Sequence, residues 1–143
     1  MTTTTPRPTT DQRRAAHAWN AVESMIRDFG DKQANEYARQ AKQLPTRAIT
    51  SGLGQALSFL LAKARVGTSD EKPHFKRLHD DLTQWVIQQR PLSGAKSKTS
   101  LLESIIQGDA IFLRLATEEV IAYLQWLNRF AEAKGLKADN EGD

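Results

Sequence analysis

The residues whose types could do chemistry are three histidines, His17, His74 and His79, and two adjacent acidic pairs, Asp80-Asp81 and Glu118-Glu119. His74 and His79 are five apart, which places them on different faces of a helix, whereas a zinc-binding pair on a helix needs a spacing of about four. There is no HExxH and no cysteine, so thiolate ligands and a cysteine nucleophile are excluded together. The histidines read as ordinary surface or boundary residues, with no metal and no cofactor expected. Neighbouring carboxylates on a helix point about 100° apart and do not share a site. Glu118-Glu119 reads instead as an acidic helix start that answers the helix dipole. Gly52-Leu53-Gly54 lacks the Lys-Ser/Thr of a phosphate loop and serves better as a bend or a close helix contact. No GxSxG elbow is present. The chain is therefore read as non-catalytic.

Charge carries the stronger signal. The net charge is only +3, but it is unevenly spread. Between Lys32 and Gly67 six basic residues, Lys32, Arg39, Lys42, Arg47, Lys63 and Arg65, face Glu36 alone. Between Lys72 and Lys98 six more face Asp80 and Asp81, and from Thr99 onward four basic residues face eight acidic ones. A basic middle attracts polyanions, of which phosphate backbones are the commonest. Lys32, Asn35, Arg39 and Lys42 follow spacings of three or four and form one stripe. Arg47 and Arg65 share a face if their helix runs unbroken through Gly52. These six basic residues are the candidate nucleic-acid contacts, with Lys76, Arg77, Lys96 and Lys98 in reserve. Lys63 lies nearer the edge of its apolar stripe and could serve a neighbouring subunit. No aromatic platform is interleaved with the charges, which argues against base stacking.

The elements that position these residues read as helices throughout, with no sustained period of two. A first helix is expected from Asp11 to Phe29, capped by Thr9 or Thr10 and ended by Gly30. A second follows to Leu44, burying Ala34, Tyr37, Ala38, Ala41 and Leu44, where Pro45 stops or turns the chain. A third stretch spans Thr46 to Val66 with Ile49, Leu53, Leu57 and Leu60 inward and a bend or a break into two pieces near Gly52. A fourth covers Lys72 to Gln89, then a basic loop from Leu92 to Thr99, then a short helix from Ser100 to Gln107 with Ile105 and Ile106. The last begins at Asp109 with Ile111 and Phe112 and is kinked or split at Thr117-Glu118-Glu119. Trp19, Trp85 and Trp126 lie on or beside apolar stripes and read as core. The expectation is an all-α, single-domain bundle of about six helices over residues 11–136, with disordered tails at 1–10 and 137–143.

At 143 residues the chain is long enough to bury a core without disulfides or metal. No apolar run approaches the 18 to 20 or so residues that span a bilayer. The Thr- and Pro-rich start has no apolar segment of the kind a secretory signal needs. A cytoplasmic protein is expected.

Gln43 to Lys63, with Leu44-Pro45, Gly52-Leu53, Leu57, Phe59 and Leu60 in order, resembles the signature of the small α-helical subunit of the Cmr complex, the type III-B CRISPR RNA-guided effector. A second matching stretch runs from Thr117-Glu118-Glu119 through Tyr123-Leu124 and Trp126-Leu127 to Arg129-Phe130-Ala131-Glu132-Ala133. Ala15 to Trp19 and Tyr37 add a third, so that the resemblance spans about Asp11 to Leu136. Asn128 departs from it, standing where a basic residue is common, and Ala48 stands where a bulkier apolar one is expected. The resemblance implies a helical bundle without an active site, several copies of which stack in a row beside the larger backbone subunits that hold the guide RNA. It implies contact with the guide–target RNA duplex or the single-stranded target, with no small-molecule substrate and no membrane. The alternative is a pure assembly subunit that never touches RNA.

Overall fold

A computed structural model describes residues 6–65, 72–89 and 100–138. Within them the chain is an all-helical bundle of five α-helices: α1 (Thr10–Ser51), α2 (Leu53–Arg65), α3 (Pro73–Thr83), α4 (Leu101–Gln107) and α5 (Ala110–Ala133), with a π-helical turn, Gln84–Gln89, continuing α3. The Lys96 and Lys98 loop and the outer parts of both expected tails lie outside the described residues.

Local chemistry accounts for most of the helix ends. Thr9 caps α1 in a reciprocal box with Gln12, its hydroxyl accepting from Gln12 N at 3.0 Å while Gln12 Oε1 accepts from Thr9 N at 2.7 Å. Ser100 and Glu103 make the same box at α4, and Asp109 Oδ1 accepts from Phe112 N at 2.8 Å at the start of α5. Gly30 leaves helical geometry at φ 84°, which kinks α1 without ending it. Gly52, at φ 91° and ψ 151°, separates α1 from α2. So Arg47 and Arg65 stand on two helices, and the shared face expected of a continuous helix does not form.

Pro45 neither stops nor turns the chain; it lies inside α1. A proline at this position deprives the carbonyl four residues earlier, that of Ala41, of its helical donor. Here the side chain of Asn128 on α5 supplies the replacement, its Nδ2 donating to Ala41 O at 3.2 Å. The orphaned carbonyl is satisfied from across the bundle, so the helix continues.

α1 packs along α5 and against α3 and α2, which also contact one another. The small stripe expected on α1 is buried throughout: Ala34, Tyr37, Ala38, Ala41 and Leu44 are at most 1% exposed. Trp85 is buried in the π turn, beside Val86 and Ile87, so three consecutive side chains face inward. A regular α-helix would fan three consecutive residues over about 200°, and the wider turn relieves that spread. Trp19 and Trp126 are half-buried around Phe130, at 5.1 and 5.3 Å between ring centres.

Several expectations need correction. Ile49, Ile106 and Ile111 are exposed at 73, 72 and 62%, because each falls where its helix has no neighbour to cover it. The last helix is unbroken through Thr117-Glu118-Glu119, since a buried partner rather than a helix end holds Glu119. His74 and His79 are core residues, 3 and 5% exposed, rather than surface or boundary ones.

Candidate nucleic-acid interface

The bundle sorts its charges into two territories. Around the first half of α1, α3 and α5 the cations are answered by carboxylates. Arg14 donates from Nε and Nη2 to both oxygens of Glu119, and Trp85 Nε1 adds a third bond to Oε2 at 2.8 Å. Arg14 also reaches Asp11 at 2.6 Å, and Asp11 accepts from Trp126 Nε1 at 2.9 Å. Arg77 pairs with Asp28 and Lys76 with Asp80, each at 2.6 Å. The two reserve candidates on α3 are thus neutralised.

Beneath them lies a polar layer. The fully buried Tyr37 donates to Asp81 Oδ2 at 2.7 Å. Burial pushes the Asp81 carboxyl up to about 6, against the pull of the Tyr37 hydroxyl and Arg77. His17 sits between Tyr123 Oη and Gln84 Oε1, 2.7 Å from each, and burial lowers its pKa. Because the Gln84 oxygen can only accept, Nε2 of His17 carries the proton and Nδ1 accepts from Tyr123. These groups hold elements together. Among the described residues none of them forms a cluster fit to hold a metal ion.

The second territory runs from Lys32 along α1 and onto α2. Lys32 is exposed and makes no ion pair among the described residues. Arg39 is held within the protein: Glu36 takes its Nη1 at 2.5 Å and its Nε is buried without a partner, so that much of its fork is committed inside. Lys42 is exposed, lines a cleft with Asn128 and Leu136, and is not without a partner. Arg47 has only neutral partners among the described residues: it donates to Gln40 at 3.2 Å and Gln43 at 2.8 Å, and its guanidinium lies 3.9 Å from the ring centre of Phe59.

The turn at Gly52 has a consequence that spacing along one helix did not show. It lays Phe59 of α2 against Arg47, and Lys63, four residues beyond Phe59 on the same helix, lies 5.7 Å from the ring centre. Arg47 and Lys63 therefore converge on one aromatic ring, and an aromatic does stand among the basic residues. Arg65 is exposed at the end of α2. Of the six candidates, the structure joins Arg47 with Lys63 and leaves Arg65 apart.

One basic residue escaped the sequence reading. Gly135, at φ 78°, turns the chain after α5, and Leu136 N bonds back to Ala131 O at 3.0 Å. The following Lys137 N donates to Asn35 Oδ1 at 2.8 Å. Lys137 is thereby laid beside the α1 stripe, 102 residues from Asn35 in sequence. The glycine after α5 was a signal for the turn, but nothing local pointed to its landing place.

Comparison with known proteins agrees with this architecture. The family model for the CRISPR-associated protein Cas_Cmr5 matches residues 10–134. A protein of Thermus thermophilus described as "CRISPR system Cmr subunit Cmr5" is 34% identical over 100 residues, covering 68% of this chain and 74% of its own. The crystal structure of a CRISPR-associated Cmr5 family protein, also from Thermus thermophilus, superposes with a TM-score of 0.67 at 28% identity, covering 89% of this chain and 97% of that one. The family match takes in all five helices, the kinked α1 with its basic stripe among them, and on these grounds the chain belongs to the Cmr5 family of CRISPR-associated proteins.

Proposed function

We propose that this chain is a non-catalytic structural subunit of a type III-B CRISPR-Cas interference complex, in the cytoplasm, stacking with its own copies beside the subunits that hold the guide. In this reading its basic face contacts the guide–target RNA duplex through phosphates, without reading sequence, because base pairing with the guide already selects the target. The observation that carries the reading is the contrast in charge compensation. Arg77 and Lys76 are paired with carboxylates, whereas Arg47 and Lys63 are held by amides and a phenyl ring. Neutral supports fix a cation's position and leave its charge for an external anion. Lys32 and Lys42 belong to the α1 stripe, Arg65 adds its charge from the end of α2, and Arg39 contributes through whatever of its fork Glu36 leaves.

Titration of the purified chain with single-stranded RNA over a range of salt tests the reading. Each lost phosphate contact should lower the slope of log affinity against log salt by about 0.7. The R47A/K63A variant should therefore shift that slope by about 1.4. Wild-type slope and affinity in this variant would remove the support for RNA contact.

A second reading, a pure assembly subunit, is favoured by the three exposed isoleucines, Ile49, Ile106 and Ile111. It predicts that replacing these by serine abolishes incorporation into the complex while R47A/K63A leaves target binding by the assembled complex unchanged.

A further inference from the structure

The basic residues read along the chain lack an aromatic among them, but the fold supplies one in Phe59. The Arg47 guanidinium lies 3.9 Å from the centre of that ring. At this distance it sits over the face of the ring, because an approach along the edge would overlap the ring carbons. Phe59 is braced in turn by Phe75, 6.2 Å away and turned by 80°. The series begins in the core, with Phe75 at 6% exposure, and ends at Arg47, which is partly open to solvent.

The edge of the guanidinium is partly committed. Nη1 donates to Gln40 Oε1 at 3.2 Å and Nη2 to Gln43 Oε1 at 2.8 Å. A carboxylate meets a guanidinium at its edge, whereas a planar ring meets it at its face. A planar cation backed by one ring suits a second ring on its other side. Among planar rings, a nucleobase brings phosphates with it and an aromatic side chain brings none. The charges of Arg47 and of Lys63, 5.7 Å from the same ring centre, favour the nucleobase. We infer that Arg47, backed by Phe59, is a stacking platform for an unpaired RNA base, with Lys63 answering the phosphate beside it.

The inference rests on the RNA reading above and deepens it. A base inside a duplex has both faces covered by its neighbours, so the platform takes a base that stands outside pairing. Every base has a π-face, so the contact remains indifferent to sequence.

The test is equilibrium binding of the full chain to a single-stranded RNA and to an abasic ribose-phosphate strand of the same length. R47K keeps the charge and removes the planar face. It should bind the normal strand about tenfold more weakly than wild type, within the range of one base stack. It should bind the abasic strand, and the same RNA annealed to its complement, as wild type does, with the salt slope unchanged. F59L, which keeps an apolar side chain against Phe75 but removes the ring under Arg47, should weaken binding of the normal strand alone; if it does not fold, R47K decides. Wild-type binding of the normal strand by a folded R47K or F59L, or an equal loss on both strands, overturns the platform. A lower salt slope in R47A/K63A alongside that result spares the broader RNA reading, and an unchanged slope and affinity there overturns both. If R47K impairs only incorporation beside partner subunits, the occupant is a protein side chain and the inference fails.

Discussion

The half of the bundle around Glu119 and the half around Phe59 use the same residue types for opposite ends. Near Glu119 an arginine, a carboxylate and an indole meet with side chains almost out of solvent, Arg14 at 13% and Glu119 at 5% exposure. Near Phe59 an arginine and a lysine lie over one aromatic ring, with no carboxylate among the described residues in the arrangement. A buried ion pair contributes little net stability compared with an apolar replacement, yet it becomes expensive to break from one side. A surface cation over an aromatic ring costs little to remove, yet its charge reaches outward. The comparison teaches that charge count along the chain does not tell which cations are answered by carboxylates; the tertiary contacts do. Arg77 and Arg47 are both helical arginines in basic stretches, yet Asp28 faces the first, and Gln40, Gln43 and Phe59 face the second.

The largest effect should come from Glu119. E119A leaves the Trp85 N–H and the Nε and Nη2 of Arg14 without their acceptor, Asp11 still holding Nη1, and a loss of about 3 kcal/mol is expected in urea unfolding. RNA affinity of the folded fraction should be unchanged. A variant that stays as stable as wild type would break the proposed distinction between the two halves.

Asp81 gives the next effect, with a sign opposite to the usual carboxylate. Its folded pKa stands near 6 against an ordinary 3.8, so the folded state keeps a proton that the unfolded chain has released. The stability this contributes is full below about pH 4 and drains away as pH rises through 6. His17 and His74, both lowered from 6.5 by burial, act in the other direction, their contribution present above 6.5 and lost on acidification. D81N should therefore be more stable than wild type at pH 7 by about 2 kcal/mol. The two should converge near pH 4, and the variant should lose stability on acidification below 6.5 more steeply than wild type. Urea midpoints between pH 4 and 8 measure this. Parallel curves would show that Asp81 is not desolvated as described.

Pro45 and Asn128 form a smaller, coupled pair. N128A should cost about 1 kcal/mol by orphaning the Ala41 carbonyl. The same change in a P45A background should cost distinctly less, since the helix then supplies its own donor. A double-mutant cycle by thermal unfolding reads the difference, and additivity would mean that the side chain does not compensate the proline.

R47A should be the mildest for stability, within about 0.5 to 1 kcal/mol, the range for an exposed cation–π contact. Its weight falls on the salt dependence of RNA binding, where E119A should have none. That crossed pattern is the sharpest form of the comparison between the halves.

Much of the fold was legible in the sequence. Thr9, Ser100 and Asp109 announced helix starts, Gly52 a break, and the spacing of Ala34, Tyr37, Ala38 and Ala41 a close-packed face. These signals act between residues no more than four apart, and so does the hydrogen-bonding of a helix, which is why they can be read without a third dimension. The resemblance at Gln43 to Lys63 and Thr117 to Ala133 was visible for a related reason, since ordered residue types survive in the chain itself.

What only the tertiary structure decided spans longer distances. Glu118-Glu119 looked like a helix start because nothing nearby reveals Arg14, which lies 105 residues away. Pro45 looked like a stop because the donor that rescues Ala41 sits on α5, 87 residues on. Ile49 looked buried by spacing, but an apolar stripe is buried only where another element covers it. Lys63 joined Arg47 through a backbone turn, and Lys137 joined the stripe through a chain return. Local rules determine which residues become helical and which side of each helix is apolar. Desolvation, charge compensation and the rescue of orphaned backbone groups depend on which surfaces meet, and no residue carries that information alone.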